Sequence, residues 1–264
     1  MFEEGRAMFF MARFSMKNYL IIIEYDGTRY FGWQRQKDNG KMPTIQGTIE
    51  NSLKRIFAKK IVLTGSGRTD TGVHARGQVA SFKVTSGIPP EGIQRALNTY
   101  LPDDILVRKI KEVPLSFNAR YSDRKKRYRY TILNQEWNTP LQRYYAAHWP
   151  YRLDLRKMKQ AARLIKGEHD FSAIVLTGKG NKVRRIHEIK ISQKINFIYI
   201  DITGNGFLYK MVRRITGILL GAGSGRIKMA DVRKLVSGVK PSCNIKTAPA
   251  CGLTLEEVIY SIGI

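Results

Sequence analysis

The chain has 264 residues, enough to bury a substantial core as one large domain or two modest ones. Its 46 lysines and arginines face only 21 aspartates and glutamates, and the resulting charge of +25 implies a polyanionic partner. Two cysteines exclude a disulfide framework, and no run approaches the roughly 18 apolar residues of a membrane span. A membrane surface would need a basic amphipathic helix or a polybasic tail beside an anchor, and the sequence offers neither. The positive charge is clumped rather than spread, which favours nucleic acid as the partner, and the scarcity of cysteines makes a reducing cytoplasm the expected compartment.

Ala7 to Ala12 is apolar but short, and it follows Glu3 and Glu4, which does not suit a signal peptide. Residues 1–16 therefore read as an N-terminal extension, either a mobile tail or a stretch ahead of a true start at Met16. Tyr19 to Tyr25 is a β-branched, apolar strand ending in the turn Asp26-Gly27. Thr44 opens a helix with Ile45, Ile49, Leu53 and Ile56 on its apolar face and Glu50 and Lys54 on others. Lys60 to Thr64 and Gln78 to Lys83 read as strands flanking a glycine-rich loop. A second helix starts at Pro89-Pro90-Glu91 and stops before Pro102, and Ile105 to Lys111 returns as a strand.

The second half repeats that rhythm. Lys126 to Leu133 is a strand, and Asp154 caps a helix that ends at Gly167. Val183 to Ser192 and Asn196 to Thr203 form a hairpin through Gln193-Lys194-Ile195. Leu208 to Leu220 and Met229 to Ser237 are helical, and Leu253 to Ile259 closes the chain as a strand. Strands and helices mix without strict alternation, so the expected fold class is α+β. We expect an N-terminal α+β domain over 17–120 and a C-terminal one over 121–264. The segment Asn134 to Pro150, with two prolines, is the expected joint between the halves.

The loop Gly65-Ser66-Gly67-Arg68-Thr69-Asp70-Thr71-Gly72 presents one carboxylate, Asp70, among glycines that let backbone approach a ligand closely. No serine–histidine or cysteine–histidine pairing accompanies it. Two readings stand: a lone carboxylate acting as nucleophile or base, or a turn in which Asp70 caps amides. Basic residues cluster at Arg120, Arg124, Lys125, Lys126, Arg127 and Arg129, interleaved with Phe117, Tyr121, Tyr128 and Tyr130. Such mixtures suit RNA, where cations hold phosphates and rings stack on bases. Alternation in a strand puts Tyr128 and Tyr130 on one face and Arg127 and Arg129 on the other. The same tyrosines equally suit a half-buried sheet. Further basic groups lie at Lys179, Lys182, Arg184 and Arg185, and at Lys210, Arg213 and Arg214.

Gly221-Ala222-Gly223-Ser224-Gly225 follows a helix, and Gly178-Lys179-Gly180 lacks the rest of a phosphate loop. Both read as turns, and no nucleotide cofactor is expected. The four histidines and two cysteines (Cys243, Cys251) show no metal-ligand spacing. Trp33 reads as an RNA contact or a core plug. His74 reads as a loop-packing or hydrogen-bonding residue rather than a base.

Gly67-Arg68-Thr69-Asp70-Thr71-Gly72-Val73-His74-Ala75 resembles the catalytic loop of the tRNA pseudouridine synthase A family. Glu24-Tyr25-Asp26-Gly27-Thr28, Phe31-Gly32-Trp33-Gln34-Arg35-Gln36, Phe117-Asn118-Ala119-Arg120, Lys126-Arg127-Tyr128-Arg129-Tyr130, Asn205-Gly206-Phe207-Leu208, Met211-Val212-Arg213 and Ala248-Pro249-Ala250-Cys251-Gly252-Leu253 are similar to its other signatures, in the same order. The chain departs from the pattern in its long start and at Cys251 to Thr254. The resemblance implies the pseudouridine synthase fold: two similar mixed halves forming one extended, antiparallel-rich sheet flanked by helices, with a central basic cleft. It implies isomerisation of uridine at positions 38–40 of the tRNA anticodon arm by a homodimer, without metal or cofactor.

By the same resemblance, Asp70 is the nucleophile, Arg213 pairs with it, and Arg68 engages RNA backbone and helps part the stem. Tyr128 contacts the target base by that resemblance, whereas Arg120, Arg127 and Arg129 are expected as RNA contacts from the basic cluster itself. The competing expectation is a non-catalytic RNA-binding or ribosome-assembly factor on the same fold. A glycosidase ranks last, since it would need a second carboxylate.

Overall fold

The computed structural model describes residues 15–36, 42–175, 180–240 and 244–260, with the side chains of 123 and 124 left aside. The expected N-terminal extension (Ser15 and Met16 apart), Lys179, Cys243 and the Arg124 side chain lie outside the described residues.

In chain order the elements are β1 (Met16–Tyr25), α1 (Ile45–Phe57), β2 (Thr64–Gly65), β3 (His74–Thr85), α2 (Pro90–Tyr100) and β4 (Ile105–Val113). There follow β5 (Asp123–Leu133), β6 (Ala147–His148), α3 (Leu155–Ile165), β7 (Gly167–Asp170), β8 (Val183–Lys194), β9 (Phe197–Gly204), α4 (Met211–Gly223), α5 (Met229–Val236) and β10 (Leu253–Tyr260). The strands form one sheet in the order β4-β1-β3-β10-β5-β9-β8-β7, with β2 on β3 and β6 on β5. Along that path every pairing is antiparallel except β3 with β10. The expected α+β class and the antiparallel-rich sheet are therefore both present. The last strand, β10, lies between β3 of the first half and β5 of the second, so both halves share one sheet.

Strand alternation assigns the layers. Tyr19, Ile21, Ile23 and Tyr25 enter the main core, as do Ile45, Ile49 and Leu53 of α1 and Ile93 and Leu97 of α2. Met158 and Ile165 of α3 and Ile215, Ile218 and Leu219 of α4 continue that core across the second half. On the opposite face Leu20, Val79, Phe117, Ala119 and Tyr260 form a smaller cluster. It lies under the crossover that carries the chain from edge strand β4 to central β5. Asn18 Nδ2 donates to the carbonyls of Pro114 and Phe117, both at 2.9 Å, and pins that crossover to the sheet. Thr44 caps α1, its Oγ1 accepting from Gly47 N–H at 3.2 Å, and Asp154 caps α3. Among the described residues no helix is long and apolar enough to cross a membrane.

Several expected boundaries move. Of the strand expected over Lys60 to Thr64 only Thr64 pairs with β3, together with Gly65 just beyond it. Leu63 instead gives its N–H to Glu50 Oε1 at 3.1 Å and accepts from Gln46 Nε2 at 2.9 Å, so α1 side chains satisfy the backbone that a strand would have. Glu50 is consequently buried rather than solvated. Helix α4 begins three residues later than expected because Lys210 is left-handed (φ 56°). The helix also runs through Gly221-Ala222-Gly223 rather than turning there. A Cβ at Gly221 would stand 2.5 Å from Ile227 Cδ1, so glycine serves close packing inside the helix.

Candidate active site

The cleft lies where the central strands meet the loops of both halves and encloses about 1070 Å³. One wall is the segment from Thr64 to Asp70, and the other is the run from Asn205 to Arg213 that leads into α4. Lys126 and Tyr128 of β5 and Leu253 of β10 also line it. Among the described lining residues, six cations (Arg68, Arg120, Lys126, Arg184, Lys210 and Arg213) face a single carboxylate, Asp70. Such an arrangement concentrates polyanions at the carboxylate.

The Asp70 loop is held from below by polar side chains. Ser66 Oγ donates to Gln78 Oε1 at 2.9 Å, and Gln78 Nε2 donates to the Gly67 carbonyl at 3.1 Å. Lys126 Nζ donates to the Ser66 carbonyl at 2.8 Å, and the Tyr25 hydroxyl lies 2.8 Å from Thr69 Oγ1. Burial pushes the Tyr25 phenol up, against the pull of its hydrogen bonds to Thr69 and Gln78, so it remains a hydroxyl. Trp33 N–H donates to the Thr69 carbonyl at 3.1 Å. Gly32 permits that approach, with φ of 75° and room for no Cβ, which would fall 2.5 Å from Thr69 O. Trp33 itself is buried, as a core plug would be.

Asp70 is 17% and Arg213 14% exposed at the side chain. Arg213 Nη1 donates to Asp70 Oδ2 at 2.9 Å, and its Nε donates to the Ala248 carbonyl at 2.8 Å. The Ala248 carbonyl thus fixes the guanidinium at a second point beside its bond to the carboxylate. Among the described residues Asp70 Oδ1 has no hydrogen-bond partner, so one oxygen is restrained and the other faces the cleft. Tyr128 is buried, with its ring edge-on to Phe207 at 5.2 Å between centroids. Arg68 and Arg120 are exposed and line the cleft.

Arg127 and Arg129 are not brought to the cleft. Register places them on the opposite face of the sheet from Tyr128, where carboxylates engage both. Arg129 holds Asp201 through two bonds of 2.9 and 3.0 Å, and Arg127 Nε donates to Glu257 at 2.9 Å. These hydrogen bonds are the chief cause of the raised values of both guanidinium groups. Tyr130 is core, its hydroxyl donating to the Pro249 carbonyl. Ser66, Phe207 and Ala248 stand in the sequence motifs and Gln78 just after the loop, but nothing in the sequence assigned them their supporting roles at the site. A glutamine among the apolar residues of the strand after the loop was the one available signal.

The fold and cleft define an α+β protein with a cation-lined cleft around a single carboxylate. A family model described as tRNA pseudouridine synthase matches residues 21–122 and 161–261. The chain is 44% identical to the tRNA pseudouridine synthase A of Caldicellulosiruptor saccharolyticus and 43% identical to that of Thermoanaerobacter sp. strain X514. Each alignment spans 247 residues, covering 93% of this chain and 100% of the relative. The relative of the same description in Acetivibrio thermocellus is 44% identical over the same span. This chain belongs to the tRNA pseudouridine synthase A family, a family of isomerases.

Proposed function

We propose that this chain converts uridine to pseudouridine at positions 38–40 of the tRNA anticodon arm, with Asp70 as the nucleophile. One observation carries the reading: a carboxylate with one oxygen tied to a fixed guanidinium and the other open to a cationic cleft. The substrate class comes from the kinship with tRNA pseudouridine synthases A and agrees with the charge of +25.

The reaction breaks the bond between ribose C1′ and uracil N1, turns the base and joins C1′ to C5. The C5 proton leaves and N1 gains one, so the net change is an isomerisation with no redox step. A lone carboxylate suits this chemistry, since nothing must be supplied or removed besides protons. Arg213 favours the ionised carboxylate and fixes its orientation. Tyr128, braced edge-on by Phe207, forms the wall on which the uracil rests. Arg68 and Arg120 meet RNA at the cleft mouth, Arg68 helping to part the stem. Extruding a stacked uridine costs a few kcal/mol, and phosphate contacts along the cleft offset that cost.

Arg127 and Arg129 keep their carboxylate partners in this scheme and brace the sheet. The resemblance in sequence implies a homodimer as the working unit, and the scarcity of cysteines favours the cytoplasm as its compartment. Light scattering that finds a fully active monomer would overturn the dimer.

The test is incubation with uridine-containing tRNA transcripts followed by position-specific mapping of pseudouridine. We expect modification confined to positions 38–40. Tight tRNA binding with no pseudouridine at any position would make the chain a non-catalytic RNA binder and overturn the reading. With several of the cleft cations on phosphates, log Kd for tRNA should change with log salt concentration by a slope of at least about 3. A titration giving a flat line would remove the cleft as the RNA site.

A further inference from the structure

The loop bearing Asp70 ends at His74, whose imidazole has no proton to move in the scheme above. The residue is only 5% exposed. Its Nε2 lies 2.7 Å from the Tyr144 carbonyl oxygen. A carbonyl can only accept, so Nε2 bears the hydrogen. In the neutral ring Nδ1 is then an acceptor, and the Gly27 N–H donates to it at 3.1 Å. One ring therefore joins the exit of the Asp70 loop, the turn after β1 and the segment between β5 and β6.

Neighbouring groups hold that junction. Asp26 Oδ1 lies 3.1 Å from His74 Nδ1 and accepts from the Thr28 N–H and hydroxyl at 2.9 and 2.6 Å. Asp26 Oδ2 accepts from the Tyr145 hydroxyl at 2.7 Å, and the Tyr145 ring packs 5.3 Å from the imidazole. The contact with the Asp70 loop is tight. A Cβ on Gly27 would fall 2.0 Å from the Val73 carbonyl oxygen, and the Val73 N–H closes the turn by donating to the Asp70 carbonyl at 3.1 Å. Any shift of the Asp26-Gly27 turn therefore reaches Asp70 through a single residue.

We propose that His74 is a positioning residue for the isomerisation. Its ring fixes the Asp26-Gly27 turn against Val73 and so sets where the Asp70 carboxylate stands. Its second nitrogen ties that position to the segment at Tyr144. The proposal rests on Asp70 being the nucleophile.

Conservative variants separate the two nitrogens. In His74→Asn the amide oxygen takes the place of Nδ1 and can accept from Gly27. In His74→Gln the longer amide takes the place of Nε2 and can donate to Tyr144, whereas His74→Leu keeps bulk and loses both bonds. Single-turnover pseudouridine formation, tRNA Kd and thermal midpoint are measured for each. We expect His74→Leu to slow the chemical step by about 10²-fold with Kd unchanged, since small misplacements of a reacting group are that costly. His74→Asn should recover most of the rate, and His74→Gln less. Tyr145→Phe, which keeps the ring and loses the Asp26 bond, should slow the step by a smaller factor and covers the case of a leucine variant that fails to fold.

Wild-type rates in folded His74→Leu would overturn the proposal. So would equal losses in the asparagine and leucine variants that follow thermal midpoint alone, since that marks mere scaffolding. If His74→Leu does not fold, wild-type rates in Tyr145→Phe, or an asparagine variant no faster than the glutamine one, would overturn it. A wild-type chain that makes no pseudouridine overturns the underlying reading as well, so the two failures are distinguishable.

Discussion

Asp70→Asn is expected to abolish turnover while leaving tRNA binding intact. The amide keeps the shape of the side chain but is a poor nucleophile, so a covalent role predicts a rate loss of at least about 10³-fold. Release of tritium from tRNA carrying 5-tritiated uridine measures the step, because C5 loses its hydrogen only when C1′ is joined there. Affinity should hold because the cleft cations that meet phosphate are untouched; removing the carboxylate charge should strengthen binding slightly. An Asp70→Asn protein with tritium release within about tenfold of wild type would deny Asp70 the role of nucleophile.

The second large effect belongs to Arg213. Its guanidinium spans two acceptors, Asp70 Oδ2 and the Ala248 carbonyl. A lysine ammonium at the end of a flexible stem cannot hold both in one plane. Arg213→Lys should therefore lower kcat by about 10²-fold with little change in KM, the size of effect seen when one preorganised donor is lost. Arg213→Met should lower it further and also cost about 1–3 kcal/mol of stability, because the Ala248 carbonyl loses its partner in a largely buried site. Rapid-quench kinetics and urea unfolding on the same preparations separate the two effects. A lysine variant with the wild-type kcat would leave Arg213 an ordinary structural residue.

Much of this was legible in the sequence because the relevant signals are local. The alternation of Tyr19 to Tyr25 gives β1, and the helical spacing of Ile45, Ile49 and Leu53 gives α1. A single carboxylate among glycines in basic surroundings drew notice to Asp70 before its partner could be located. Arg213 lies 143 residues further along, and only the family resemblance joined the two. The departures come from tertiary partners that no local pattern encodes. Lys60 to Leu63 has the composition of a strand, yet the backbone of Leu63 is bonded by the side chains of Gln46 and Glu50. Arg127 and Arg129 look like RNA contacts by composition, and the carboxylates that occupy them stand on β9 and β10, over 70 residues away. Strand alternation had already put these arginines on the face away from Tyr128. Helix α4 runs through glycines that read as a turn because Ile227 and Met158 pack where side chains would stand.

The most direct test is a crystal structure of this chain with an anticodon arm carrying 5-fluorouridine at position 39. Fluorine at C5 blocks the final proton loss and holds the nucleotide where it reacts. The expected result is a base out of the stem beside Tyr128, with Asp70 Oδ1 bonded to the nucleotide or within about 3.5 Å of the carbon it attacks. A nucleotide still stacked in the stem, or seated in the cleft with its sugar and base both beyond reach of Asp70, would contradict it.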